Sequence, residues 1–232
     1  MMRSSRFLIS PGGLGMAIAF LAAMAATSAL SATTPGTAHA ATDARGPYEK
    51  LLEQARRGDS GLDFTALRMA WAARQAELAQ LNAADPDLRK KMFAALHEDR
   101  WAAVIELGNQ VLAQNYLDID AHMFVAFACE KSQQPEKAAP HRTMADGLMH
   151  SILASGDGRS FATAFVVVSV DEEYAVLRHY RLASQKQDLV TDNGHSYDVL
   201  TAQPHDSQDE ATVYFNIDKV VAIESAALRP SH

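Results

Sequence analysis

Up to about residue 154, apolar side chains recur at intervals of three and four, the period of a helix packed on one face. Tyr48, Leu51, Leu52 and Ala55 form the first such set, opened by Pro47 and closed by Gly58. Asp63 stands as an N-cap before Phe64, Leu67, Ala70, Trp71, Leu78 and Leu81, with Arg68 on the same early turns. Asp85-Pro86 restarts the chain ahead of Leu88, Met92, Ala95 and Leu96, and Asp99 is placed to cap the next helix. That helix carries Trp101, Val104, Ile105, Gly108, Val111 and Leu112; its glycine suits close approach by a neighbour. Asp118-Ile119-Asp120 opens another, with Ala121, Phe124, Val125 and Ala128 inward. Pro140 is expected to start the last long helix, which runs to about Ala154.

The pattern changes at Ser155–Asp171. Gly156-Asp157-Gly158 reads as a helix stop and tight turn, and Phe165–Val168 as a short strand buried on both faces. A helix over Glu172–Arg181 follows. Asn193-Gly194 is a two-residue hairpin signal joining Gln187–Thr191 to His195–Ala202. Pro204–Glu210 reads as a loop, Ala211–Ile217 alternates as a strand, and Val220–Ile223 is a short apolar run before a fraying tail. The expected fold is α+β: a helical-hairpin bundle, tetratricopeptide-like in part, packed against a small, mainly antiparallel sheet with one helix. Residues 47–155 form the first region, 156–224 the second and 225–232 a tail.

Composition adds a compartment. Arg3 and Arg6 precede an uncharged, Ala-rich run from Leu14 to Leu30, and Ala38-His39-Ala40 matches a small-x-small cleavage site. Residues 1–40 thus read as a signal peptide, 41–46 as a linker, and the protein as periplasmic or secreted. With cleavage, no span crosses a membrane. A net charge of −7 argues against nucleic acid, whose phosphates call for Lys and Arg. Cys129 is the single cysteine, set among Phe124, Val125, Phe127 and Ala128, and reads as a buried thiol.

Tyr48, Leu51, Asp63-Phe64, Leu67-Arg68, Asp118-Ile119-Asp120-Ala121-His122, His141-Arg142, Gly147-Leu148 and Ser151-Ile152 make one set of positions. Ser155–Gly158, Ser160, Ala164, Glu172-Glu173-Tyr174, Leu177, Gly194–Val199 and Tyr214-Phe215 make another. On these residues the chain resembles a bacterial exported family catalogued as domain of unknown function 4919. The resemblance implies an exported α+β protein and no particular activity.

Candidate chemistry gathers after the seam. Gly156, Asp157, Gly158 and Arg159 offer a backbone cradle for an anion, against the simpler reading of a turn; no phosphate-loop Lys-Ser/Thr ending follows. Asp157, Glu172, Glu173 and His195 are the candidate acid/base groups, with Tyr197 and Asp198 as binding candidates beside His195. The simpler readings are a solvated helix start for the glutamates and a polar hairpin edge for His195. His122, His141 and His150 lack metal-ligand spacing, so no metal and no cofactor is expected. Two functions follow: a non-enzymatic envelope protein binding a protein or peptide partner, or a hydrolase using carboxylate and histidine side chains.

Overall fold

The computed structural model describes residues 46–78, 85–204 and 209–229, all within one compact unit, Arg45–His232. The expected signal segment, most of the expected linker, Leu81, the centre of the 204–210 loop and the last residues of the tail lie outside the described residues.

Among the described residues six helices come first: α1 (Pro47–Arg57), α2 (Phe64–Leu78), α3 (Pro86–His97), α4 (Trp101–Gln114), α5 (Ile119–Lys131) and α6 (Pro135–Leu153). Their ends follow local chemistry. Gly58 takes φ +73° and closes α1. Asp63 Oδ1 accepts from Ala66 N at 2.8 Å, Asp85 from Asp87 N at 2.9 Å, and Asp118 from Ala121 N at 2.9 Å. Asp99 does not cap α4; it sits at φ +55° in the turn after α3, and Arg100 holds the N-cap position. Consecutive helices α3 to α6 pack as hairpins through short connections. A Cβ on Gly108 would drive into the Val125 side chain, so the glycine admits α5 against α4 as expected.

Helix α6 begins at Pro135, not at Pro140. Pro135 fills the first turn, where a missing N–H costs nothing. Pro140 lies on the exposed side, where the carbonyl it leaves unpaired is open to solvent.

The second half holds β1 (Phe165–Val166), α7 (Val170–His179), β2 (Leu182–Asp192), β3 (His195–Pro204), β4 (Ala211–Asn216) and α8 (Asp218–Ala227). The sheet order is β1-β4-β3-β2. β2, β3 and β4 form the expected antiparallel meander, and β1 adds parallel to β4. Asn193 and Gly194 take φ +48° and +82°, as a two-residue hairpin turn requires.

Three expectations are corrected here. The run from Phe165 to Val168 is not a central strand: two residues pair, at the sheet edge. Val167 and Val168 are still buried, but the Val168 N–H donates to Glu172 Oε2 at 2.9 Å, which turns the chain into α7. Helix α7 starts and ends two residues earlier than its apolar period suggests. The segment after Ile217 is helix α8 rather than a short run and a fraying tail; it packs on α2 and crosses residue 224.

One hydrophobic core joins the halves. Leu67 of α2, Met144, Leu148 and Ile152 of α6, and Val176 and Leu177 of α7 meet Leu200 of β3 and Val213 and Phe215 of β4. Val220 of α8 completes it. A second core lies between α3, α4 and α5, around Met92, Val104, Leu112 and Phe124. The opposite face of the sheet is covered locally by Phe161, whose ring meets Tyr197 and Tyr214 at 4.9 and 5.0 Å.

Candidate functional site

Where α2, α6, α7 and the sheet meet, the core contains charge. Arg68, 1% exposed, donates from Nε to Glu172 Oε1 at 2.8 Å and from Nη2 to Glu172 Oε2 at 2.6 Å. Its Nη1 donates to Ser151 Oγ at 2.9 Å and its Nη2 to the Val166 carbonyl at 2.8 Å. This bidentate pair binds α2, α6, β1 and α7 at one point.

Glu173, the next residue, points elsewhere. It is fully buried, and neither carboxylate oxygen receives an N–H or hydroxyl. Its neighbour is Asp198 of β3, which already accepts from Gln187 Nε2 at 2.6 Å. Two carboxylates cannot hydrogen-bond each other; a carboxylic acid and a carboxylate can. Burial, and then the Asp198 charge, push Glu173 up to about 9, so at neutral pH Glu173 keeps its proton and donates it to Asp198. Burial raises Asp198 as well.

A third group lies above, between α3, α5 and α7. Arg89 Nη2 donates to Asp120 Oδ2 at 2.6 Å, and its Nη1 to Asp171. Arg89 Nε is 3.0 Å from Asp118 Oδ2, but the N–H is misaligned, so that contact is an ion pair only. Arg178 grips Asp120 through both Nε, at 2.9 Å, and Nη2. Burial first, with the Asp120 charge adding to it, raises Asp118 to about 6. The cleft lined by Arg89, Asp118, Asp120, Ser169, Asp171 and Glu172 has room for about one water molecule.

His122 and His141 form a fourth group, with Nδ1 atoms 2.9 Å apart. His122 Nε2 donates to the Tyr116 carbonyl at 2.8 Å. That fixes its tautomer: Nδ1 of His122 accepts, and Nδ1–H of His141 donates. Burial lowers both, His122 to about 4.

The residues singled out in the sequence are dispersed. Asp157 is in the exposed loop, where its carboxylate accepts from the Thr163 hydroxyl and the Arg159 N–H, which hold it below the usual carboxyl range. The N–H groups of Asp157 and Gly158 both donate to the Thr163 carbonyl, at 3.0 and 2.8 Å. The Arg159 N–H donates to Asp157 Oδ1 at 3.0 Å. Those three N–H groups close a turn and do not face an anion. Gly156 is required because a Cβ would strike the Thr163 and Ala164 carbonyls; Gly158 takes φ +69° over the Phe165 ring. Arg159 stays exposed. His195 is on the surface, its Nδ1 2.6 Å from Asp218 Oδ2, away from Glu172, Glu173 and Asp157. Tyr197 packs on Phe161, on the face of β3 opposite Asp198. Apart from near neighbours in sequence (Asp157 with Arg159, and the His195 and Tyr197 rings, 6.5 Å apart), the candidates that come together are Glu173 and Asp198. Among the described residues no cluster of three or more His, Cys, Asp or Glu side chains suits a metal ion.

Glu172 and Glu173 are not the solvated helix start that their place in the first turn of α7 suggests; only Asp171 is exposed. Reading by residue type also gives no site role to Arg68 or Ser151, takes Asp118 and Asp120 only as a helix start, and sets His122 and His141 aside for their spacing without pairing them. One signal was present: Arg68 follows Leu67 in an apolar helix with no second charge in that turn, the setting of a buried, paired arginine.

No curated protein matches this chain, and no solved structure matches it. The buried polar groups described above sit largely at the positions on which the family resemblance rests, from Arg68 and Asp118 to Glu172-Glu173 and Asp198. Residues 41–226 match the family described as Domain of unknown function (DUF4919), and the chain belongs to that family.

Proposed function

We propose that this is an exported, non-enzymatic envelope protein that binds a protein or peptide partner through the α4–α5 hairpin. The observation that carries this is the outer stripe of α5. The helix is buried on nearly every side, yet Met123 and Phe127, one turn apart, are each 39% exposed. Trp101 of α4 meets the Phe127 ring edge-on at 5.5 Å, and Lys131 Nζ lies 5.0 Å from its centroid. Aromatic and methionine side chains with a cationic rim suit an apolar peptide segment. We read the hairpins α3–α6 as tetratricopeptide-like in this use of a helical surface. The basic start, apolar run and Ala38-His39-Ala40 site support export to the periplasm or beyond.

The hydrolase reading has less behind it. Asp157, His195 and the Glu173–Asp198 pair occupy three separate surroundings, and the carboxyl pair is closed off from solvent.

The test is a photo-cross-linking residue at position 123, in cells expressing the full chain. The expected result is a discrete adduct that disappears when Phe127→Glu is added. A band pattern equal to that from position 109, on the exposed side of α4, would remove this reading.

A further inference from the structure

We propose that two copies of this chain pair through the free edge of β2, antiparallel about a two-fold axis at Leu189, to make one continuous eight-stranded sheet. This goes beyond the partner reading and does not depend on it, since it uses a different face.

β2 is an edge strand of 11 residues, longer than most, and β3 pairs with its whole length on the other side. Such an edge presents unpaired N–H and C=O groups that a further strand satisfies. The hairpin turn fixes which ones. Asp192 and His195 flank the two-residue turn and face each other, so Val190 and Asp188 also direct their backbone groups at β3. Gln187, Leu189 and Thr191 therefore direct theirs outward. All three are exposed, and Leu189 is 72% exposed, an apolar side chain left largely uncovered by the described residues of its own chain.

The side chains choose the register. With Leu189 opposite Leu189 of the second copy, both residues of the central pair direct their N–H and C=O groups across the axis. Gln187 then meets Thr191, Asp188 meets Val190, and Lys186 meets Asp192, each twice by symmetry. Opposite charges thus face across the new seam at both ends. Shifting the axis to Asp188 sets Asp188 against itself. Shifting it to Val190 sets Asp188 against Asp192 twice. Both alternatives place like charges in directly opposed positions, which antiparallel pairs disfavour. The irregularity between Ser184 and Lys186 bends the strand and ends the pairing where the charge match ends. Lysine on an edge ordinarily guards against pairing; here Lys186, already 2.6 Å from Asp188 Oδ2 on its own strand, gains Asp192 of the second copy as a further counter-charge.

Seven residues of strand edge make a small interface, so the dimer belongs to the micromolar range of dissociation constants. The experiment is analytical ultracentrifugation of the purified protein over a concentration series to about 200 µM. A reversible dimer is expected. Lys186→Asp should weaken it roughly tenfold, and the exchange Lys186→Asp with Asp192→Lys should restore it. A covalent test keeps the answer independent of affinity. At a hydrogen-bonded antiparallel pair the two Cα atoms stand about 5.5 Å apart, within disulfide reach. Leu189→Cys should therefore oxidise to a cross-linked dimer. Thr191→Cys should not, because its two copies would lie roughly 13 Å apart along the strands. Cys129 is buried and does not interfere. A protein that stays monomeric throughout, a dimer indifferent to Lys186→Asp, or cross-linking at 191 and not at 189 would each overturn the proposal.

Discussion

Glu172 and Glu173 are adjacent, both buried, and handled in opposite ways. Glu172 is met by the Arg68 guanidinium and the Val168 N–H, so both of its oxygens have donors inside the core. Glu173 is met by another carboxyl and no donor, so it is held as a neutral acid. The core tolerates buried acid by supplying a cation in one case and by keeping a proton in the other. The difference comes from the helix: successive residues of α7 point about a quarter-turn apart, one toward α2, the other toward β3.

The comparison breaks most visibly at Arg68. Arg68→Met leaves Glu172 buried without its cation, with only the Val168 N–H to meet it, and should cost about 3–5 kcal/mol in urea unfolding at pH 7. Pairing it with Glu172→Leu should recover most of that loss, because both partners then go apolar together. A double variant as unstable as the single one would mean that the pair is more than a satisfied charge.

At Glu173 the sign reverses. Its proton affinity is higher folded than unfolded, so the folded state binds more protons between the ordinary carboxyl range and about 9. Stability contributed by this group is complete below about pH 4.5 and falls as pH rises toward 9. Glu173→Gln keeps the shape and the donor, removes that fall, and should stabilise the protein by something on the order of 3 kcal/mol at pH 8. Asp198→Asn sharpens the cause. Burial is the larger contribution at Glu173, so most of the alkaline fall should survive this change.

The histidine pair supplies the acid limb. His122 is held neutral to about pH 4, whereas the unfolded chain protonates near 6.5. The folded state therefore loses stability, on the order of 2 kcal/mol, as pH falls through that window. His122→Gln should flatten the acid limb and leave the alkaline limb unchanged in thermal melts. The smallest effect is the yardstick for an ordinary surface feature: Asp63→Ala removes one helix cap and should cost about 1 kcal/mol in urea unfolding at pH 7.

Period and capping carried most of the architecture. The helix faces of α1 to α5, the Asp63, Asp85 and Asp118 caps, the Asn193-Gly194 turn and the alternation of β4 were all legible, because each is set by residues within one or two turns of each other. The misplaced elements depend on distant partners. Phe165–Val168 has the composition of a strand, but Glu172, recruited by Arg68 from α2, takes the Val168 N–H and ends it. Pro140 is tolerated because that side of α6 faces solvent, which the local sequence does not reveal. The polar network was the least legible part. Arg68 and Glu172 are about a hundred positions apart, and neither shows its burial without the other. His122 and His141 lie 19 positions apart on separate helices and meet only because α5 and α6 form a hairpin.

The most direct measurement is the infrared carbonyl stretch of a protonated carboxylic acid in the folded protein at neutral pH. The account predicts such a band at pH 7, lost in Glu173→Gln, retained in Glu172→Gln, and titrating away near pH 9. Its absence at pH 7, or its loss with Glu172→Gln instead, would contradict the account.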